Sequence, residues 1–211
     1  MASFSDCYGC SLCLLACPMW LQHRELRFSA QGYAKAMQHG ATASEISEPL
    51  SACIQCGACN LLCPAQIDLL AMIKTCKKEA GLPKIETERF DQDCFTIASH
   101  AAIQQNLNAD DFYIIDATAF HANYAQRVEY YEALRQATGC SINLDLQRIA
   151  IPTGINHDSD TFNSNKQIEW LFQGRVFNRI IVENKKEQRH LALISGKEVI
   201  HISELIRGKN A

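Results

Sequence analysis

The chain has 211 residues and a mass of 23.6 kDa, enough for one medium domain or, as we expect, two small ones. Its 47% hydrophobic and 20% charged residues are typical of a globular protein and exclude disorder, collagen-like repeats and a coiled coil. The formal net charge of -3 argues against general nucleic-acid binding.

The sequence offers no membrane or export signal. No stretch approaches the roughly 20 consecutive apolar residues of a membrane helix, and the first residues lack a basic region followed by an apolar run. We therefore expect a soluble, cytoplasmic chain. Its eleven cysteines are then better explained as metal ligands or catalytic thiols than as disulfides.

Eight of these cysteines form two runs with the same spacing, CxxCxxCxxxCP. The second run is the first displaced by 46 positions, which indicates a duplicated unit in the first third of the chain. The runs comprise Cys7, Cys10, Cys13 and Cys17 followed by Pro18, and Cys53, Cys56, Cys59 and Cys63 followed by Pro64.

This spacing is typical of a bacterial-type ferredoxin with two 4Fe-4S clusters. Three cysteines separated by two residues can wrap a loop around three corners of an iron-sulfur cube, so the fourth ligand must come from elsewhere. In the usual pattern the cysteine before the proline binds the other cluster. The predicted ligand sets are Cys7, Cys10, Cys13 and Cys63 for one cluster, and Cys53, Cys56, Cys59 and Cys17 for the other.

Disulfides and zinc sites fit the two runs less well. A disulfide framework needs an oxidising compartment, and the sequence carries no targeting signal for one. Zinc binds pairs of CxxC motifs, but it has no need for the third cysteine and the proline that both runs repeat. Iron-sulfur clusters account for both features.

The residues between and after the two runs predict helices rather than β-hairpins. Glycines follow two of the apolar segments and are expected to end the helices. The predicted segments are Met19 to Leu26, Tyr33 to Met37 before Gly40, a helix after Thr42–Glu45 that leads to Cys53, and Ile67 to Lys78 before Gly81.

With both runs and a helical spacer of 35 residues, residues 1–82 resemble the α-helical ferredoxin domain. That domain occurs in the iron-sulfur subunits of succinate dehydrogenase, anaerobic glycerol-3-phosphate dehydrogenase, glycolate oxidase and heterodisulfide reductase. The resemblance implies an electron relay that serves a partner subunit.

Residues 83–95 form a polar, charged stretch that we interpret as a linker, and the hydrophobic period changes beyond it. Alternating strands and helices over 96–211 predict a small parallel α/β domain. The fold class is therefore α + α/β. The predicted strands are Phe112 to Asp116, Ile142 to Ile149, Arg179 to Val182 and Lys197 to Ile200, and the predicted helices are Tyr124 to Gln136, Ile168 to Phe172 and Ser203 to Ile206.

This second half resembles the cysteine-rich CCG domain of the heterodisulfide reductase and glycolate oxidase families. The resemblance depends on Tyr113–Phe120 with Tyr124, on Ile151–Gly154 and on the ending His201–Ile206. The family places a cysteine near Phe120 and a Cys-Cys pair at Pro152-Thr153, and this sequence has neither. The resemblance thus implies a degenerate CCG-like domain without cluster ligands. We interpret such a domain as a docking or structural module, with binding of a small cofactor at the carboxyl ends of its strands as the alternative. Nucleotide-binding glycine motifs are absent from the sequence.

The remaining cysteines, Cys76, Cys94 and Cys140, are interpreted as small buried hydrophobic residues, with a redox thiol as the alternative.

Basic residues follow each run and form either a solvated face or a patch that offsets cluster charge and orients an acidic partner. Apolar neighbours of the runs are expected to shield the clusters from water. The basic residues are His23, Arg24, Arg27, Lys74, Lys77 and Lys78, and the apolar ones are Leu14, Leu15, Trp20, Leu21, Leu61, Leu62 and Ile67.

The sequence therefore predicts an iron-sulfur electron-transfer subunit of an oxidoreductase complex, with no catalytic residue of its own. Its expected partner is a flavoprotein or a cysteine-rich CCG-domain redox subunit, and any membrane association would be through that partner. Two alternatives remain open: a stand-alone heterodisulfide-type reductase and an iron-sulfur redox sensor.

Overall fold

The computed structural model describes residues 2–83, 93–155, 157 and 161–206. The chain divides into two compact units, Met1–Glu86 with Asn156–Gln167, and Thr87–Ile155 with Ile168–Ala211. Helices predominate, and one small parallel sheet is present among the described residues. The predicted α + α/β class is confirmed. No helix in the described ranges is long and apolar enough to cross a membrane.

The N-terminal unit is built from short helices and helical turns. Helix α1 begins with a proline, which favours the first position of a helix. Helices α2 and α5 begin with side-chain caps: Ser29 accepts a hydrogen bond from the Gly32 N–H, and Asp68 accepts one from the Ala71 N–H. The α-helices are α1 Pro18–His23, α2 Ala30–Gln38, α3 Ser47–Ala52, α4 Ala58–Leu61 and α5 Leu69–Glu79, and 3-10 turns span Phe4–Asp6, Leu12–Leu14 and Leu26–Phe28.

Helix α2 packs closely on the turn Leu26–Phe28. A Cβ atom at Gly32 would lie 2.0 Å from the Leu26 carbonyl oxygen, so only glycine permits this approach. Tyr33 on the same helix is buried, and its hydroxyl donates to the Pro49 carbonyl at 2.8 Å. The contact connects α2 to α3, the helix that leads into the second cysteine run.

The C-terminal half contains the described strands, each followed by a helix. The sheet elements are β1 Asp111–Ile114, β2 Ser141–Ile142, β3 Arg179–Val182 and β4 Glu198–His201, and the helices are α6 Asp93–Ala98, α7 Ala101–Asn106, α8 Ala117–Ala122, α9 Tyr124–Thr138, α10 Ser164–Phe172, α11 Gln188–Ser195 and α12 Ile202–Ile206.

All strand pairs are parallel, in the order β2-β1-β3-β4. The central strands β1 and β3 are apolar on both faces because helices cover the sheet on both sides. Tyr113 and Ile181 contribute to one hydrophobic core, whereas Phe112 and Ile180 contribute to the other.

A buried carboxylate joins the central strands to α9. The Glu183 carboxylate accepts hydrogen bonds from the Tyr113 hydroxyl at 2.9 Å, from the Tyr131 hydroxyl, and from the Asp116 backbone N–H at 2.9 Å. Burial raises the pKa of Glu183 to about 7, although these donors counteract the effect. The carboxyl group therefore titrates near neutral pH.

The predicted strand Ile142 to Ile149 is wrong over most of its length. Strand β2 ends at Ile142, and the chain turns at Asp145, whose carboxylate accepts from the N–H groups of Gln147 and Ile149. Such side-chain acceptors favour turns over strands. Leu144 and Ala150 then form an antiparallel bridge.

Several helices of this half were not predicted: α6, α7, α8 and α11. Each of them has only six or eight residues. Of the predicted linker 83–95, residues 84–92 lie outside the described residues, and α6 begins at Asp93.

Candidate metal centre

The two cysteine runs fold into loops with the same backbone pattern. Gly9 and Gln55 occupy equivalent positions and have φ values of 81° and 56°. Ser11 and Gly57 are likewise equivalent, with φ values of 67° and 83°. The duplication therefore extends from the cysteine spacing to left-handed backbone positions, although glycine occupies only one position in each loop.

The first three cysteines of the first run lie beside the last cysteine of the second. Burial raises the pKa of the Cys13 thiol to about 11, and the N–H of Gln31 counteracts this by donating to the sulfur. The nearby thiols of Cys10, Cys7 and Cys63 raise it further. The structure thus brings together the four cysteines of the first predicted ligand set.

The second predicted set is also brought together. Burial raises the pKa of Cys17 strongly, and the negative charges of Cys53 and Cys56 add to this effect. Burial likewise raises the pKa of Cys59, with further contributions from Cys56, Cys53 and Cys17. Cys17 thus lies among cysteines of the second run.

The two groups are neighbours. Cys13 of the first group contributes to the raised pKa of Cys59 in the second, which places their thiols within electrostatic range. Their exposure differs, since Cys10 is exposed to solvent whereas Cys56 is buried.

A cavity adjoins the second group. It contains about 410 Å³ of empty space, part of it open to solvent, and its surface is almost wholly apolar apart from the sulfur atoms. Its lining includes Cys17, Cys53, Cys56 and Cys59, together with Ala16, Pro18, Met19, Ala30, Tyr33, Ile54, Gln55, Gly57, Ala58, Leu70 and Ile73.

The donor set fits a thiolate-bound iron-sulfur cluster better than a single ion. Zinc holds each thiolate at about 2.3 Å, so its ligands converge on one point. In the described ranges, no three cysteine, histidine or carboxylate side chains are close enough to bind one ion. Four thiols around an apolar space suit a group with several irons, each bound by one sulfur.

Backbone N–H groups point at the sulfur atoms of the second group. Those of Met19 and Trp20 donate to Cys17, and that of Ala58 donates to Cys56. They partly offset burial, which raises the pKa of Cys56 to about 12. Hydrogen bonds of this kind stabilise the charged thiolate and help set the potential of a bound cluster.

The basic residues after the runs do not form one free surface. Arg24 stacks over the Trp20 ring, and the exposed Arg27 pairs with Glu25 and Glu48 at 2.7 Å each. Lys77 is 5% exposed, so its interpretation as part of a solvated face or docking patch is wrong. Its aliphatic stem packs within the fold while its ammonium binds backbone oxygens.

The expected shielding residues are only partly correct. Leu14 and Ile67 are buried, whereas Leu15 is 50% exposed. The apolar side chains that line the cavity include Met19, Tyr33, Ile54, Leu70 and Ile73, none of which the sequence singled out as a shield. Cys76 and Cys140 are buried, as predicted, and Cys94 is half-buried.

Residues 3–67 match the family model of the 4Fe-4S dicluster domain. The match covers both cysteine runs and the spacer, and less than half of the chain. No curated protein and no solved structure matches the chain. The N-terminal part is therefore an iron-sulfur, ferredoxin-like domain of the 4Fe-4S class, and electron transfer is the role that this match supports.

Proposed function

We propose that the chain is the electron-transfer subunit of an oxidoreductase complex and that it holds two 4Fe-4S clusters. The principal support is the crossed grouping of the thiols: Cys17 lines one cavity with Cys53, Cys56 and Cys59, and Cys63 lies within electrostatic range of Cys13. The proposed ligand sets are Cys7, Cys10, Cys13 and Cys63, and Cys17, Cys53, Cys56 and Cys59.

A bound 4Fe-4S cluster supplies one-electron redox chemistry. The thiols would hold it, backbone N–H groups would stabilise their charge, and the apolar lining around Met19 and Ile73 would limit the access of water. Water exclusion strengthens electrostatic effects at the site and so influences its reduction potential. These tasks require no nucleophile or general base from the chain.

The first thiol group is the proposed point of electron exchange with a partner. Cys10 is exposed, and the neighbouring side chains of Tyr8, Leu12 and Leu15 are exposed by 65%, 43% and 50%. A partner that covers these apolar side chains would bring its own redox centre close to the cluster. The sequence resemblance favours a flavoprotein or a CCG-domain redox subunit as that partner.

The α/β half is proposed to be a degenerate CCG-like docking module. In its described ranges it carries only two cysteines, Cys94 and Cys140, far fewer than a further cubane needs. Its parallel sheet and helical covering agree with a scaffold role. The proposed redox work then belongs to the N-terminal unit.

Two double variants test the crossed ligand sets. Cys10→Ser with Cys63→Ser alters one proposed set only, so about half of the iron should remain after anaerobic reconstitution. Cys10→Ser with Cys17→Ser alters both sets, so iron content should fall much further. Cys140→Ser, at a buried cysteine outside both runs, is the control and should keep the full content.

A lower iron content in Cys10→Ser with Cys63→Ser than in Cys10→Ser with Cys17→Ser would show that each run binds its own cluster. That result would contradict the proposed sets. Zinc in the wild-type chain without acid-labile sulfide would contradict the function itself.

A further inference from the structure

Two lysines make the same contact at the two cysteine runs. The Lys35 ammonium donates to the Cys7 carbonyl oxygen at 2.6 Å, and the Lys77 ammonium donates to the Cys53 carbonyl oxygen at 2.7 Å. Cys7 and Cys53 are the first cysteines of their runs and lie 46 residues apart. Each proposed cluster therefore has one lysine bound to the backbone of its first ligand.

Both carbonyls lie where a helical segment ends. Cys7 is the C-terminal cap of the turn Phe4–Asp6, and Cys53 is the C-terminal cap of α3. Lys77 also approaches the Ser51 carbonyl at 3.4 Å. Carbonyl groups at such an end carry partial negative charge and attract cations, so the lysines fix the geometry at which each cysteine loop begins.

Neither lysine is paired with a carboxylate in the described part of the chain. Lys77 is 5% exposed, and Lys35 is half-buried beside Gly9, where an added Cβ would lie 3.3 Å from the Lys35 Cε. Buried cations are costly unless a negative group compensates them. A thiolate-bound iron-sulfur cluster is negatively charged and would supply that compensation.

We infer that Lys35 and Lys77 are positioning residues that hold the first cysteine of each run and raise the reduction potential of the adjacent cluster. The inference rests on the proposed function. A positive charge nearby stabilises the reduced form, which carries one more electron than the oxidised form. Lys35 should act on the cluster of Cys7, and Lys77 on the cluster of Cys53.

The test is a redox titration of the full-length, anaerobically reconstituted chain, with dithionite as electron donor and reduced clusters measured by EPR. Lys35→Met and Lys77→Met should each lower the reduced-to-oxidised ratio of one cluster at least threefold at fixed potential. For a one-electron couple this is a shift of about 28 mV, because a factor of ten corresponds to 59 mV. The two variants should shift different steps of the titration.

Lys78→Met is the matched control, because Lys78 follows Lys77 on α5, carries the same charge and is exposed. Its shift should be clearly smaller. The inference would be overturned if the reduction potential shifted equally in Lys78→Met and Lys77→Met. It would also be overturned if neither Lys35→Met nor Lys77→Met shifted a potential, or if both variants shifted the same titration step.

Loss of iron from Lys77→Met would be examined with Lys77→Arg, which keeps the cation and its N–H donors. The inference predicts that Lys77→Arg binds iron and has a reduction potential near that of the wild type. A loss of iron or a shifted potential in this variant would contradict the inference. A wild-type chain that binds no iron and sulfide would instead refute the proposed function, so the two failures differ.

Discussion

At the scale of single residues, several residues adopt a backbone conformation or an environment that is unfavourable for their residue type. Gln55 and Ser11 adopt left-handed backbone conformations that cost non-glycine residues about 1–2 kcal/mol, yet each lies at the position where the other loop has glycine. Lys77 is buried, and so is Glu183. Gln55 and Ser11 lie in the cysteine loops, and Glu183 directly follows the central strand β3.

Glu183 predicts a pH-dependent stability. Its pKa is about 7 in the folded chain, against about 4.3 for an unfolded glutamate. Its contribution is therefore complete below about pH 4.3 and is lost as the pH rises to about 7, at up to about 1.4 kcal/mol for each pH unit. Glu183→Gln should flatten this part of the profile and gain stability relative to the wild type as pH rises.

Urea unfolding from pH 5 to 8 measures that difference, with Glu169→Gln, at an exposed carboxylate, as the control. Parallel profiles for Glu183→Gln and the wild type would show that the buried carboxyl group does not titrate in this range.

At the scale of helices and strands, sequence patterns predicted the long helix α9 and the central strand β3 well. Helix α9 was predicted as Tyr124 to Gln136 and spans Tyr124–Thr138, since Gly139 supplies the left-handed C-terminal cap. The strand predicted at Arg179 to Val182 is β3 itself. The short helices α8 and α11 were not predicted, whereas α12, which is no longer than either, was predicted as Ser203 to Ile206.

Helix α2 provides a test in which local and tertiary effects have opposite signs. In an isolated helix, Gly32→Ala would gain about 1 kcal/mol of stability. In this fold the new methyl group would collide with the Leu26 carbonyl, so we expect a net loss of about 1–3 kcal/mol.

The urea midpoint of the Gly32→Ala chain, measured anaerobically beside the wild type, decides the sign. A midpoint higher than that of the wild type would mean that α2 does not pack on the Leu26–Phe28 turn as described.

At the scale of the whole molecule, the candidate site was more predictable than its surroundings. The cysteine spacing predicted which thiols would lie near one another, because in the usual pattern the cysteine before the proline binds the other cluster. The lysine contacts could not be predicted in this way: Lys35 follows Cys7 by 28 residues, whereas Lys77 follows Cys53 by 24. Helix packing, and not the sequence repeat, brings these lysines to equivalent places.

The proposed roles of the two halves follow from the positions of the thiols. Both groups of four belong to the N-terminal unit, and the α/β half contributes a sheet covered on both faces. The first half is therefore the proposed carrier of electrons, and the second half is the proposed docking element.

The most direct test of the central claim is an EPR-monitored reductive titration of the wild-type chain purified without air. We expect two reversible one-electron steps, with signals broadened at full reduction because the two reduced clusters are neighbours. A chain that accepts no electrons, or only one, would contradict the claim that it relays electrons through two 4Fe-4S clusters.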